Sequence, residues 1–156
     1  MPLLHPATLI ATGFGLGLLP RMPGTWASLA ALPCSWFLGI GGGAVAVGTA
    51  AVIAFAAGWW ASAAIVRTTK SADPGFVVID EIAAQMCVLA AMPRDWRFYA
   101  IAFLLFRLFD IWKPFPIGWI DRTVKGGLGV MLDDAAAAIY ALALILIAAG
   151  VLGVRP

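Results

Sequence analysis

The fold class this chain predicts is an all-α, integral-membrane helical bundle of about four to five membrane helices, some of them short or kinked. Three observations carry that expectation. Hydrophobic residues make up 63% of the 156 residues, against roughly 45–50% in ordinary soluble domains. Charged residues are only 12%, about half the usual share. Two uncharged apolar stretches, Ala44–Val66 and Ala135–Val154, run for 23 and 20 residues, about the length that crosses a bilayer core. A chain of this size is expected to form one domain over residues 1–156.

The elements follow in order. The start, MPLLHPATLI, lacks a basic leader region, so no cleavable signal peptide is expected. It reads as an interfacial or re-entrant segment, because Pro20 and Arg21 arrive too soon for a span. Thr25–Ile40 is apolar, with a kink expected at Pro33 and a tight turn at Gly41-Gly42-Gly43. Ala44–Val66 then runs back. Ile82–Met92 and Phe98–Phe106 are apolar but short, separated by Pro93, Arg94, Asp95 and Arg97. They read as a helical hairpin. Ala135–Val154 is the last span.

Counting these as crossings sorts the charges by face. One face receives Arg21, Arg67, Lys70, Arg107, Lys113, Arg122 and Lys125, and the other only Arg94, Arg97 and Arg155. The excess of basic residues marks the first face as cytoplasmic. The same face receives Asp73, Asp80, Glu81, Asp110, Asp121, Asp133 and Asp134, leaving only Asp95 opposite. Acids gathered beside bases at one membrane face predict a polar site there.

Composition also excludes functions. A net charge of +2 is too small for nucleic-acid binding. Cys34 and Cys87 lie in apolar stretches and form no CxxC, so buried reduced thiols are expected. His5 is the only histidine, which leaves little for a histidine-rich metal site or a phosphohistidine mechanism. Neither a Cys-x₅-Arg loop nor a DxDx(T/V) nucleophile signature is present.

Four polar segments converge on the acid-rich face. GFGLGLLPRMPGTWAS, Gly13–Ser28, offers an irregular backbone with Arg21 as an anion partner, and Thr25 as an N-cap. DPGFVVIDE, Asp73–Glu81, reads as a turn followed by two acids opening a helix. Adjacent carboxylates at the edge of lipid are costly unless compensated, and a divalent cation would compensate them. FRLFDIWKPFPIGWIDRTVKGGLG, Phe106–Gly129, places Arg107, Asp110 and Lys113 at intervals of three on one helix face. Asp110 is expected near both cations. Pro114 and Pro116 end that helix, and Asp121 and Lys125 are spaced to pair. Trp112 and Trp119 read as interfacial anchors. GVMLDD closes on Asp133-Asp134 ahead of the last span, one of the two as an N-cap. Carboxylate pairs that hold Mg²⁺, beside Arg and Lys that hold an anion, are the ordinary equipment of phosphoryl transfer. At a membrane face the phosphate could belong to a lipid head group.

The order and text of these motifs resemble phosphatidylglycerophosphatase A. The resemblance rests on GLGLLPRMPGTWASLAALP, DPGFVVIDE and FRLFDIWKPFPIGWIDRTVKGGLGVMLDDAAAAIYA, and runs from about Gly13 to Tyr140. Ala27 and Ala84 stand where glycine is usual in the family, and Phe76 where a polar residue is common. The resemblance implies Mg²⁺-dependent removal of the terminal phosphate of phosphatidylglycerophosphate, in a bacterial inner membrane, with the active face cytoplasmic. Of the residues falling in its motifs, Asp80, Glu81, Asp133 and Asp134 are expected to bind metal. Asp80, Glu81, Asp110 and Asp134 are expected to be catalytic, and Arg21, Arg107, Lys113, Arg122 and Lys125 to bind substrate. Two other classes compete. A transporter or ion-conducting protein would use intramembrane acids, but these acids sit at span ends and no inverted repeat is visible. A phosphatidyltransferase would carry a DGxxAR signature that cannot be aligned here.

Overall fold

The computed structural model describes residues 2, 4–69, 71 and 74–153. Lys70, Asp73, Val154 and Arg155, which entered the topological reading, lie outside them. All regular structure among the described residues is helical. Helix α1 is Pro6–Ala11, where the His5 Nδ1 accepts a hydrogen bond from the Ala7 N–H at 3.2 Å and caps the first turn. A single 3₁₀ turn follows at Leu16–Leu18. The remaining helices are α2 (Pro23–Thr69), α3 (Ile79–Ala90), α4 (Trp96–Trp112), α5 (Ile117–Thr123) and α6 (Gly126–Leu152).

Helix α2 is two limbs joined at the expected glycine turn. Gly43 adopts φ 58° and ψ −154°, a conformation open in practice only to glycine. The limbs fold back on each other: Ala31 and Ala51 share one buried cluster with Met86, whereas a straight helix would hold the two alanines about 30 Å apart. Pro33 is taken up within helical dihedrals, so the chain breaks at Gly43 instead of at the proline. Thr25 lies within the first turn of α2 and does not precede it, so it is not the N-cap.

Helices α3 and α4 form the expected short hairpin, joined through residues 91–95. Asp95 caps α4 by accepting from the Arg97 N–H at 2.8 Å. Helix α6 departs from expectation. It begins at Gly126 with Lys125 as its N-cap, so Asp133 and Asp134 are two turns inside the helix and neither caps it. The reason is the small residues ahead of them. A Cβ on Gly127 would collide with the backbone of Ala63, so glycine lets the first turn of α6 press directly onto the second limb of α2 and the helix starts early.

The outward faces are apolar. Phe37, Val52, Leu104 and Ile147 are all more than 60% exposed, while the buried side of the first limb carries Gly24, Ala27, Ser28, Ala31 and Ser35. Small residues at helix contacts with large apolar ones outside is the arrangement of helices packed within lipid. Two helices, α2 and α6, are long and apolar enough to cross a membrane. Cys34 and Cys87 are exposed, not buried as expected. They sit on the outward sides of helices whose inward sides are reserved for close approach.

Two larger buried clusters join that of Ala31, Ala51 and Met86 in holding the bundle. One joins α3, α4 and α6 around Leu89, Phe106 and Ala141, with Leu32 and Trp36 of the first limb against it. The other joins α1, the second limb and the starts of α3 and α6 around Ala11, Ile65, Ile79 and Met131. The alternating chain direction then brings together the start of α2, the start of α3, the end of α4, all of α5 and the start of α6.

Candidate active site

Those five segments enclose a cavity of about 280 Å³. Its wall carries six carboxylates, Asp80, Glu81, Asp110, Asp121, Asp133 and Asp134, against three cations, Arg107, Lys113 and Lys125. These six are all but one of the acids expected on one face; the seventh, Asp73, lies outside the described residues.

Three of the acids form the centre. Carboxylate oxygens of Asp80, Glu81 and Asp134 lie within 4.8 Å of one another. Asp80 and Glu81 reach it from the first turn of α3, where a helix N-terminus favours negative charge. The Asp80 Oδ1 accepts from the Glu81 N–H at 3.0 Å. Asp134 comes from α6 and is only 3% exposed. Glu81 Oε2 and Asp134 Oδ2 are buried without any hydrogen-bond partner. Buried unpaired carboxylate oxygens are costly, and three together add mutual repulsion. A hard divalent cation, which takes oxygen ligands only, fits this donor set. Gly24 supports it from α2: a Cβ there would collide with Glu81 Oε1, so only glycine leaves the Glu81 carboxylate its place.

The cations divide between the acids. The Arg107 Nη1 bonds Asp110 Oδ2, donates to Ser28 Oγ at 3.5 Å and faces Glu81 Oε1 at 3.7 Å. It links α4 to both α2 and α3. Lys113 follows α4 in a left-handed conformation, φ 47° and ψ 57°, which turns its side chain away from the helix line at a modest strain cost. Its Nζ reaches Asp133 Oδ2 at 2.6 Å and Asp121 Oδ1 at 3.0 Å. Burial alone would lower the Lys113 pKa, but the hydrogen bonds and charges of Asp133 and Asp121 outweigh it and hold the ammonium above its ordinary value. A raised lysine pKa stabilises the fold below the unfolded value and is lost only as pH rises past the folded one, so this pair persists through the neutral range. The Tyr140 hydroxyl donates to the Phe115 carbonyl at 3.0 Å and pins the turn that carries Lys113.

Several expected partnerships are redrawn. Asp133 turns to Lys113 and away from the three-carboxylate centre, because successive residues of a helix point about 100° apart. Asp110 meets Arg107 but not Lys113. The partner of Asp121 is Lys113; the Lys125 Nζ instead donates to the Asp121 backbone carbonyl at 3.4 Å. Arg21 and Arg122 do not line the cavity. Both are exposed: Arg21 precedes α2 on an apolar stretch of surface, and Arg122 lies one residue around α5 from the inward-facing Asp121. Gly24 and Ser28 belong to the site although only their segment, not their positions, stood out in the sequence. The PGT text was the available signal.

An all-helical frame gathers acids and bases into one pocket at helix ends, and three of its carboxylates stand close enough to hold a metal ion. The family model for phosphatidylglycerophosphatase A matches residues 9–149. Phosphatidylglycerophosphatase A of Escherichia coli K12 is 38% identical over 136 residues, 86% of this chain and 78% of that protein. Phosphatidylglycerophosphatase A of Haemophilus influenzae is 40% identical over 140 residues, 89% and 86%. A Bacteroides thetaiotaomicron relative, provisionally named a phosphatidylinositol-3-phosphatase, is 38% identical over 152 residues, 93% and 94%. No solved structure gives a match. The chain belongs to the phosphatidylglycerophosphatase A family.

Proposed function

We propose that this chain hydrolyses the terminal phosphomonoester of phosphatidylglycerophosphate to phosphatidylglycerol and phosphate, with Mg²⁺, in phospholipid biosynthesis. The observation that carries this reading is the trio Asp80, Glu81 and Asp134, buried with unpaired oxygens beside Lys113 and Lys125 in one cavity. With acids outnumbering bases on the wall, a phosphate dianion would be repelled unless a cation joined it. Mg²⁺, when bound, supplies charge neutralisation for the phosphoryl oxygens. Asp80, Glu81 and Asp134 would hold it. Asp110 and Ser28 hold Arg107, which in turn steers Glu81. Asp121 and Asp133 hold Lys113 charged at the wall, where it and Lys125 meet the phosphate. Phosphate release by the purified protein in detergent tests the reading. It should occur with phosphatidylglycerophosphate, need Mg²⁺ and stop on chelation. Faster release from phosphatidylinositol 3-phosphate would reassign the substrate.

The membrane reading is part of the proposal. Residues 1–156 act as one domain in the bacterial inner membrane, with the two limbs of α2, then α3, α4 and α6, as about four to five membrane helices. Helix α3, at 12 residues, is about 18 Å long and needs the other helices around it to sit at membrane depth. The cavity faces the cytoplasm and Pro156 the opposite side. A reporter fused after Pro156 should therefore be inactive if it works only in the cytoplasm. Activity there would put the crossing count wrong by one, with the α3–α4 hairpin the first place to look.

Arg107 separates binding from support. In Arg107→Lys the shorter side chain must bring its ammonium to the place of Nη1, the one nitrogen that meets Asp110, Ser28 and Glu81. Melting temperature should stay within a few degrees while turnover falls by roughly 10-fold or more. Arg107→Ala should lose both. Near-normal turnover in Arg107→Lys would show that any ammonium near the place of Nη1 suffices.

A further inference from the structure

The cavity opens beside an apolar surface that the residues above leave unused. Met22 and Pro23 line the cavity itself. Next to them, Leu19, Pro20, Arg21 and Trp26 line one shallow hollow, and Trp26 also lines a second, which continues along the first limb of α2 to Leu29, Ala30 and Pro33. Trp26, Leu29, Ala30 and Pro33 recur at helical spacing, so they form one stripe. The stripe is bare: Trp26 is 50% and Leu29 40% exposed. At its seam with the cavity, Met22 holds φ 52°, a left-handed conformation costly for a residue with a Cβ.

We infer that this stripe is the track on which one fatty-acyl chain of the substrate lies, so that the phosphomonoester of a glycerophospholipid is delivered into the cavity. The inference rests on the phosphatase reading and adds to it the surface that recognises the lipid part. Continuity supports it, since Trp26 lines both hollows, and Arg21 of the first hollow is followed in the chain by Met22 and Pro23 of the cavity wall. Charge supports it as well. Arg21 lines the hollow beside Trp26 and has no ion-pair partner among the described residues. It places one cation outside the cavity, where a phospholipid with a second, diester phosphate would carry negative charge. A chain already in a bilayer gains little by exchanging lipid for protein contact. The track therefore acts by orientation: a chain seated on the stripe points its head group at Met22 and the cavity mouth, and well-oriented binding is where such contacts contribute to rate.

The test measures kcat/KM of the full-length protein in detergent with Mg²⁺, on phosphatidylglycerophosphate carrying long acyl chains and on the dibutanoyl form. Wild type should prefer the long-chain lipid. Trp26→Ala and, separately, Leu29→Gln should each reduce the long-chain to short-chain ratio of kcat/KM by 10-fold or more. An unchanged ratio in both variants overturns the track. So does an equal fall on both substrates, which would make the two side chains structural. If wild type releases phosphate from neither lipid, the phosphatase reading falls and the track with it; if it cleaves both without preference, only the track falls.

Discussion

Asp134→Asn should abolish phosphate release, by roughly 10³-fold or more, because a carboxylate proposed to hold the metal is lost. The same variant should melt at a higher temperature than wild type in the presence of a chelator. The two effects have one cause. Without a cation, Asp80, Glu81 and Asp134 hold three carboxylates within 4.8 Å, and Asp134 Oδ2 and Glu81 Oε2 have no donor to offset burial. Removing one charge relieves repulsion and desolvation together. Wild type, in turn, should gain melting temperature when Mg²⁺ is added, by mass action on the folded state, and Asp134→Asn should gain much less. Asp80→Asn should behave alike. Asp133→Asn should not, since its carboxylate serves Lys113; it should lose stability in chelator. Full activity in Asp134→Asn would remove that residue from the centre. A melting temperature that falls in chelator would mean its carboxylate is an acceptor the fold needs.

Lys113→Met should destabilise the protein by roughly 2–3 kcal/mol, as expected when one member of a largely buried ion pair is left alone. The Asp133 side chain is 10% exposed and its bond to Lys113 Nζ is 2.6 Å. Asp121, at 36% exposed, can turn to water and adds little. Adding Asp133→Asn to Lys113→Met should restore a substantial part of the loss, because the orphaned charge is gone. A double-mutant cycle isolates that coupling. Turnover should stay low in the double variant, since Lys113 is also a cation on the cavity wall. Stability unchanged in Lys113→Met would show that the pair is solvated. Recovery of turnover in the double variant would confine Lys113 to a structural role.

The apolar excess, the two long uncharged stretches and the triple glycine were enough to expect helices that pack in lipid and fold back near Gly43. The chain's alternating direction was enough to expect the acids at one end. Periodicity also placed Arg107 and Asp110 on one face, and their ion pair follows from a spacing of three along α4. These features are local: they depend on the composition of a segment or on neighbours a turn apart. The start of α6 was not visible, because nothing local to the sequence shows that Gly127 packs against the backbone of Ala63.

The roles within the acid cluster depended on partners far along the chain. Asp133 and Asp134 read as equivalent neighbours, yet one helical step sends the first to Lys113 and the second to Asp80 and Glu81. Asp121 seemed matched to Lys125 by spacing, but the left-handed turn at Lys113 delivers a nearer ammonium. Cys34 and Cys87 lie in apolar text and still face outward, because a helix that is apolar all round does not distinguish its inside from its outside. By itself, the sequence determined the long apolar helices, the gathering of the acids at one end and the family whose motifs they carry. The tertiary structure decided which oxygen meets which nitrogen, because that depends on the rotation of each helix about its axis, and rotation is set by the small residues through which the helices touch.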